Sequence, residues 1–202
     1  MINLVFIAAL TLFFSQDTLA ISIADHFFEQ SKGEAKRTNP HLDKRMKALQ
    51  QTSQQGKSLL IKTSQLKDST GLVYIGGKIS AADLAPYLNR LEVELGREFA
   101  NYRQNQAARD QQTFHLTLIN PYEYQMLDSN KVKLGQGIRV NLIGLGKVTK
   151  EGGTAYFVVA ESSDGKFLRQ NLLLQPKDFH VTLGFQPQDV FGVSKGRDTL
   201  IQ

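Results

Sequence analysis

The chain contains no cysteine, which excludes a disulfide framework, a zinc–thiolate site and a thiol nucleophile, and leaves either redox compartment open. Nor is charge of one sign in large excess: 24 Lys and Arg oppose 19 Asp and Glu, a net of +5 over 202 residues. Residues 1–70 carry +3 (nine against six) and residues 71–202 carry +2 (fifteen against thirteen). So small an imbalance is weak evidence for a polyanionic partner. The carboxylates are scattered rather than gathered at ligand spacing, so no metal and no other cofactor is expected. Long apolar runs are missing too. Leu4 to Phe14 falls short of the ~20 residues that cross a bilayer. The apolar fraction is still 41%, enough for a core, and global disorder is not expected.

The first twenty residues stand apart. After the Leu4–Phe14 run, Ser15-Gln16-Asp17-Thr18-Leu19-Ala20 supplies a polar stretch ending in a small residue, as a cleaved export signal requires. No Lys or Arg precedes the run, and an uncleaved membrane anchor or a buried N-terminal helix is the alternative. The expectation is a secreted or periplasmic protein with residues 1–20 as signal peptide. Residues 21–57 read as a polar, partly helical extension with glutamines at 50, 51, 54 and 55, and His26 and His41 within it read as exposed bystanders.

Residues 58–202 read as the folded domain, of α+β class. Ser58 to Leu66 is its first regular element. Leu72-Val73-Tyr74-Ile75 is a short strand bounded by Gly71 and the Gly76-Gly77 pair. Ser80 and Asp83 resemble a capping box. Leu84, Leu88, Leu91, Leu95, Phe99 and Tyr102 then form one apolar stripe on an amphipathic helix, with Pro86 awkwardly early in it. Strands are expected near 112–119, 138–146, 154–161 and 177–185, with a short helix near 164–173 and a hairpin turn at Glu151-Gly152-Gly153.

Two segments share one text: Phe114-His115-Leu116-Thr117-Leu118 and Phe179-His180-Val181-Thr182-Leu183. On a strand, alternate residues face opposite sides. Each apolar triplet can therefore bury while its His and Thr project together, about 7 Å apart at ~3.3 Å per residue, a spacing that suits two side chains on one phosphate. Chance repetition at two of the four histidines is on the order of a few in a thousand. Two imidazoles titrating near neutrality can divide base and acid duties in opening a cyclic phosphodiester. Thr117 and Thr182 can donate to the non-bridging oxygens where charge builds.

Paired His-apolar-Thr strands about 65 residues apart resemble the 2H phosphoesterase superfamily. More narrowly, Leu145-Gly146 through Leu200 resembles its Swiss Army Knife RNA-repair-like branch. The telling text is Pro176-Lys177-Asp178-Phe179-His180-Val181-Thr182-Leu183-Gly184-Phe185, then Asp189-Val190 and Val193-Ser194-Lys195-Gly196. The resemblance implies a two-lobed α+β fold with concave antiparallel sheets and flanking helices, one motif per lobe, facing one cleft. It implies metal-independent hydrolysis of a 2′,3′-cyclic phosphate on an RNA end or nucleotide, with His115, Thr117, His180 and Thr182 as the active positions; a monomer is expected. Weaker substrate-binding candidates are Lys195, which can neutralise phosphate, Arg169, which can clamp it bidentately, and Tyr122 and Tyr124, which can stack on a base. A non-catalytic RNA-end or nucleotide-binding module and a two-histidine ribonuclease are the competing readings.

Overall fold

The computed structural model describes residues 56–201. The export signal, most of the extension, His26 and His41 lie outside the described residues. Among the described residues, seven strands form two antiparallel sheets. Strands β1 (Lys57–Lys62), β5 (Gly137–Lys150), β6 (Gly153–Glu161) and β7 (Phe179–Gln186) make a four-stranded sheet in the order β1-β5-β6-β7. Strands β2 (Ser64–Lys67), β3 (Val73–Ile79) and β4 (Phe114–Ile119) make a three-stranded sheet in the order β2-β3-β4. The sheets are curled and the helices few, in keeping with the expected α+β class.

The expected single element over 58–66 is two strands, because the chain crosses from one sheet edge to the other at Thr63. Thr63 is 2% exposed, and its polar groups are satisfied across the crossing. Its N–H donates to the Gln136 carbonyl (2.9 Å) and its hydroxyl to the Lys133 carbonyl (3.0 Å), while Gly135 N–H donates to the Thr63 carbonyl (2.8 Å). A buried backbone without such partners would cost several times what one hydrogen bond contributes.

Strand β3 runs through Gly76 and Gly77 instead of ending there. The pair serves close approach, not a turn. A Cβ on Gly76 would lie 2.5 Å from the Leu116 carbonyl oxygen, and one on Gly77 would lie 2.5 Å from Ile61 Cδ1. The register shifts between Ile75 and Gly76, as a bulge does. At the other predicted turn, Lys150 pairs with Gly153 across Glu151 and Gly152, whose φ values of 51° and 79° are those of a two-residue hairpin loop.

The long amphipathic stripe folds as two helices, α1 (Ala81–Leu95) and α2 (Phe99–Arg109), joined by a 3₁₀ turn over Gly96–Glu98. Ser80 caps α1 by accepting from Asp83 N–H (3.1 Å). Gly96 ends it with φ 52°, a conformation that L side chains avoid. Pro86 lies inside α1, near its start. Two shorter helices follow, α3 (Pro121–Gln125) with an Asn120/Glu123 capping box, and α4 (Ser163–Asn171) capped by Ser162. Leu84, Tyr87 and Leu91 of α1 join both sheets in one buried core, with the apolar triplets Phe114/Leu116/Leu118 and Phe179/Val181/Leu183 at its centre. At roughly 1.5–3 kcal/mol for each fully buried large apolar side chain, those six residues anchor the motif strands from behind.

Candidate functional site

Strands β4 and β7 are each an edge of their sheet, and they pack against each other where the two sheets meet. The alternation read from the sequence holds in both. The apolar residues of each motif are buried, His115, Thr117 and His180 are half-buried, and Thr182 is 8% exposed. All four line a single cleft of about 920 Å³. The His115 ring lies 5.3 Å from that of Tyr74 on β3, and the His180 ring lies 5.5 Å from that of Phe157 on β6 in an edge-on contact.

Helix α2 seals the outer edge of β7. Gly184 lets it come close: a Cβ there would lie 2.9 Å from Tyr102 Cβ and 3.0 Å from its carbonyl carbon. Arg103 donates to the Leu183 carbonyl and Asn105 Nδ2 to the Phe185 carbonyl (2.9 Å), so the unpaired edge of the strand is satisfied by side chains. The same docking carries the end of α2 into the cleft. There the Arg109 guanidinium grips Asp110 (2.6 and 2.8 Å) and also pairs with Asp189. Gln106, fully buried, holds Asp110 from the other side (2.7 Å) and donates to the Thr113 carbonyl just before β4 (2.9 Å). Burial would lower the Arg109 guanidinium, but Asp110 and Asp189 outweigh it and hold it above its ordinary value.

Lys195, expected to face phosphate, does line the cleft. It is 5% exposed and pairs with Asp189 at 3.1 Å. Burial, then Arg109, lowers its ammonium, with Asp189 opposing. Lys177, in the segment before β7, lines the cleft as well. Burial chiefly lowers its ammonium, with Arg169 and Lys195 adding and Glu123 opposing.

Arg169 is not placed to clamp phosphate. It is 2% exposed and does not line the cleft. Its fork binds both Glu123 oxygens (2.9 and 2.6 Å), the Leu118 carbonyl (2.8 Å) and the Gln175 carbonyl (2.9 Å through Nε). The guanidinium thus ties the end of β4 to the approach to β7, and its donors are spent. Tyr124 packs on the core instead of the cleft, whereas Tyr122 lines the cleft and is 72% exposed. Phe191, 70% exposed, lines it too.

The sequence reading did not single out Tyr74, Arg109, Asp110, Lys177, Asp189 or Phe191. Lys177 and Asp189 stand inside the text that carries the family resemblance, which was their only signal. Arg109 and Asp110 read as an ordinary polar helix end, and nothing local marks them.

The two imidazoles share one text but not one environment. Burial lowers His115, and Arg109 adds to this while Asp110 opposes it. Burial pushes His180 well below 6.5, and every charge acting on it works the same way: Lys195, Lys177, Arg109 and His115. Tyr74 is pushed up by burial, with Asp110 and Asp68 adding, so its phenol stays protonated. Among the described residues, no group of three or more His, Asp and Glu gathers as a metal-binding cluster.

The family model described as Swiss Army Knife, 2H phosphoesterase domain matches residues 74–191, a span that contains both motif strands and the end of α2. The chain belongs to this family. Membership makes the domain a phosphoesterase of phosphodiesterase type, with a nucleotide or an RNA end as the substrate it suggests. No curated protein and no solved structure matches the chain. Among the described residues no helix is long and apolar enough to cross a membrane.

Proposed function

We infer that the domain hydrolyses a 2′,3′-cyclic phosphate, on a nucleotide or an RNA end, by two-histidine acid–base catalysis. The observation that carries this reading is that both His-x-Thr pairs open on one cleft. His180 is the base, because its cationic surroundings and burial keep the imidazole neutral and able to accept a proton. His115 is the acid, because burial lowers it but Asp110 opposes that lowering, whereas every charge on His180 adds to it, so of the two imidazoles His115 holds a proton the better. His180 takes a proton from water as the water oxygen bonds to phosphorus. The bond from phosphorus to one ribose oxygen breaks, and His115 delivers its proton to that oxygen. The hydroxyls of Thr117 and Thr182 donate to the non-bridging oxygens, where negative charge grows during attack. Exposed Tyr122 and Phe191 at the cleft offer apolar faces for a base.

The test is turnover of a 2′,3′-cyclic nucleotide in excess EDTA. His115→Ala and His180→Ala should each lower it by at least about 10²-fold, the range of a positioned acid or base. Binding without any product on long incubation would make the domain a reader of such ends, and cleavage of intact RNA would make it a ribonuclease. The N-terminal residues support secretion or periplasmic residence as part of this proposal, which favours nucleotide scavenging or foreign RNA over repair of the cell's own transcripts. N-terminal sequencing of the mature protein decides that premise.

A further inference from the structure

Three cations line the cleft: Arg109, Lys177 and Lys195. Two are already matched. Arg109 is held by Asp110 and Asp189, and Lys195 by Asp189. Lys177 differs. Among the described residues no carboxylate lies within ion-pair distance of it. Glu123, the carboxylate that acts on it electrostatically, has its two oxygens taken by the Arg169 fork and the Asn120 N–H.

A half-buried ammonium without a counter-ion is costly, and an anion arriving in the cleft offsets that cost. The reaction needs the same thing from the other side. Attack on a cyclic phosphodiester drives the phosphoryl oxygens from one negative charge toward two, and the threonine hydroxyls are neutral donors. Lys177 stands in the segment leading into β7, close in the chain to His180, and lines the same cleft as both motif pairs.

We propose that Lys177 is a substrate-contacting residue, its ammonium donating to a non-bridging oxygen of the substrate phosphate in a cleft whose other two cations are neutralised by Asp110 and Asp189. Contact in the reaction rests on the phosphodiesterase reading above; contact with phosphate does not.

The experiment therefore has two arms on the full chain. In the first, inorganic phosphate is titrated calorimetrically into wild type, Lys177→Gln and Lys177→Arg. The expected result is binding to wild type, at least about tenfold weaker binding to Lys177→Gln, and substantial recovery in Lys177→Arg, since both retain or lose the charge without changing the cleft's other members. In the second, kcat/KM on a 2′,3′-cyclic nucleotide should fall about 10²-fold in Lys177→Gln. Lys166→Gln, at an exposed lysine of α4 outside the cleft, should leave it unchanged. Equal phosphate affinity in wild type and Lys177→Gln overturns the proposal, as does wild type that binds no phosphate. Lys177→Met replaces the amide variant if circular dichroism shows that Lys177→Gln has not folded. Lys177-dependent phosphate binding in a protein that turns over no cyclic nucleotide would support the contact and sink the enzymatic reading.

Discussion

Replacing Arg169 by Met separates a strut from a phosphate clamp. In the structure the side chain is 2% exposed and reaches the Leu118 carbonyl, the Gln175 carbonyl and both oxygens of Glu123. Methionine fills most of the volume but strands one carboxylate and two carbonyls. Breaking a fully buried ion pair costs roughly 3–5 kcal/mol, because the surviving charge keeps its desolvation penalty. The Glu123 side chain is 23% exposed, so water recovers part of that and we expect about 2–4 kcal/mol. Against a total of about 5–15 kcal/mol for a folded domain, the shift is readily measured by urea denaturation. Adding Glu123→Gln to Arg169→Met should restore about 1 kcal/mol or more by removing the stranded charge, so the two substitutions will not be additive. Arg169→Lys should fall between, since a single ammonium cannot span three acceptors. Acid supplies an internal check. Burial would raise the Glu123 carboxyl, but the Arg169 fork and the Asn120 N–H outweigh it and hold it below 4.5. A carboxylate so lowered stabilises above its unfolded value and loses that stabilisation as pH falls through the folded one. The gap between wild type and Arg169→Met should therefore narrow below about pH 4.5. Unchanged stability together with a raised KM at constant kcat would refute the strut and return Arg169 to the phosphate.

Two further predictions concern the motif strands. Because burial lowers His115 and pushes His180 well below 6.5, the base is competent well into the acid range, and the acid is lost before pH 7. The kcat/KM profile should be bell-shaped with its maximum below about pH 6.5, and a maximum above pH 7.5 would reverse the sign of the argument. Gly76→Ala should cost about 2 kcal/mol or more, a fall of about 4–8 °C in Tm, because its Cβ meets a backbone carbonyl that cannot rotate away. That carbonyl belongs to Leu116, between His115 and Thr117, so activity should drop further than stability alone accounts for; a Tm within 1 °C of wild type by scanning fluorimetry would show that β3 and β4 are not in this close register.

What the sequence made legible depended on how local the cause was. Alternation along a strand is local, so the burial of Phe114, Leu116, Leu118, Phe179, Val181 and Leu183, and the shared outlook of each His–Thr pair, could be read from five-residue texts. Turn chemistry at Glu151-Gly152 is local too. Gly76-Gly77 misled because two glycines serve a turn and a close strand approach equally well, and only the position of the Leu116 carbonyl and Ile61 decides between them. The stripe from Leu84 to Tyr102 keeps helical spacing through Gly96, yet one positive φ there breaks the helix in two. Arg169 was misassigned for a tertiary reason: its acceptors are 6, 46 and 51 residues away in the chain. Arg109 and Asp110 were invisible for the same reason, since their network closes on Asp189 across 80 residues.

That network answers a question the motifs leave open. Two copies of one short text do not say which imidazole would give a proton and which would take one. The difference comes from segments outside both motifs. The end of α2 brings Asp110 toward His115, and the segments flanking β7 bring Lys177 and Lys195 toward His180. Asp189 joins the two sides by pairing with Arg109 and Lys195 at once. Removing Asp189 would leave Lys195 without its counter-ion and Arg109 with Asp110 alone, so its carboxylate offsets the mutual repulsion of these two cations in the cleft. The charge that distinguishes the two imidazoles is thus held outside both motifs, by Asp110 at the end of α2 and by the lysines flanking β7.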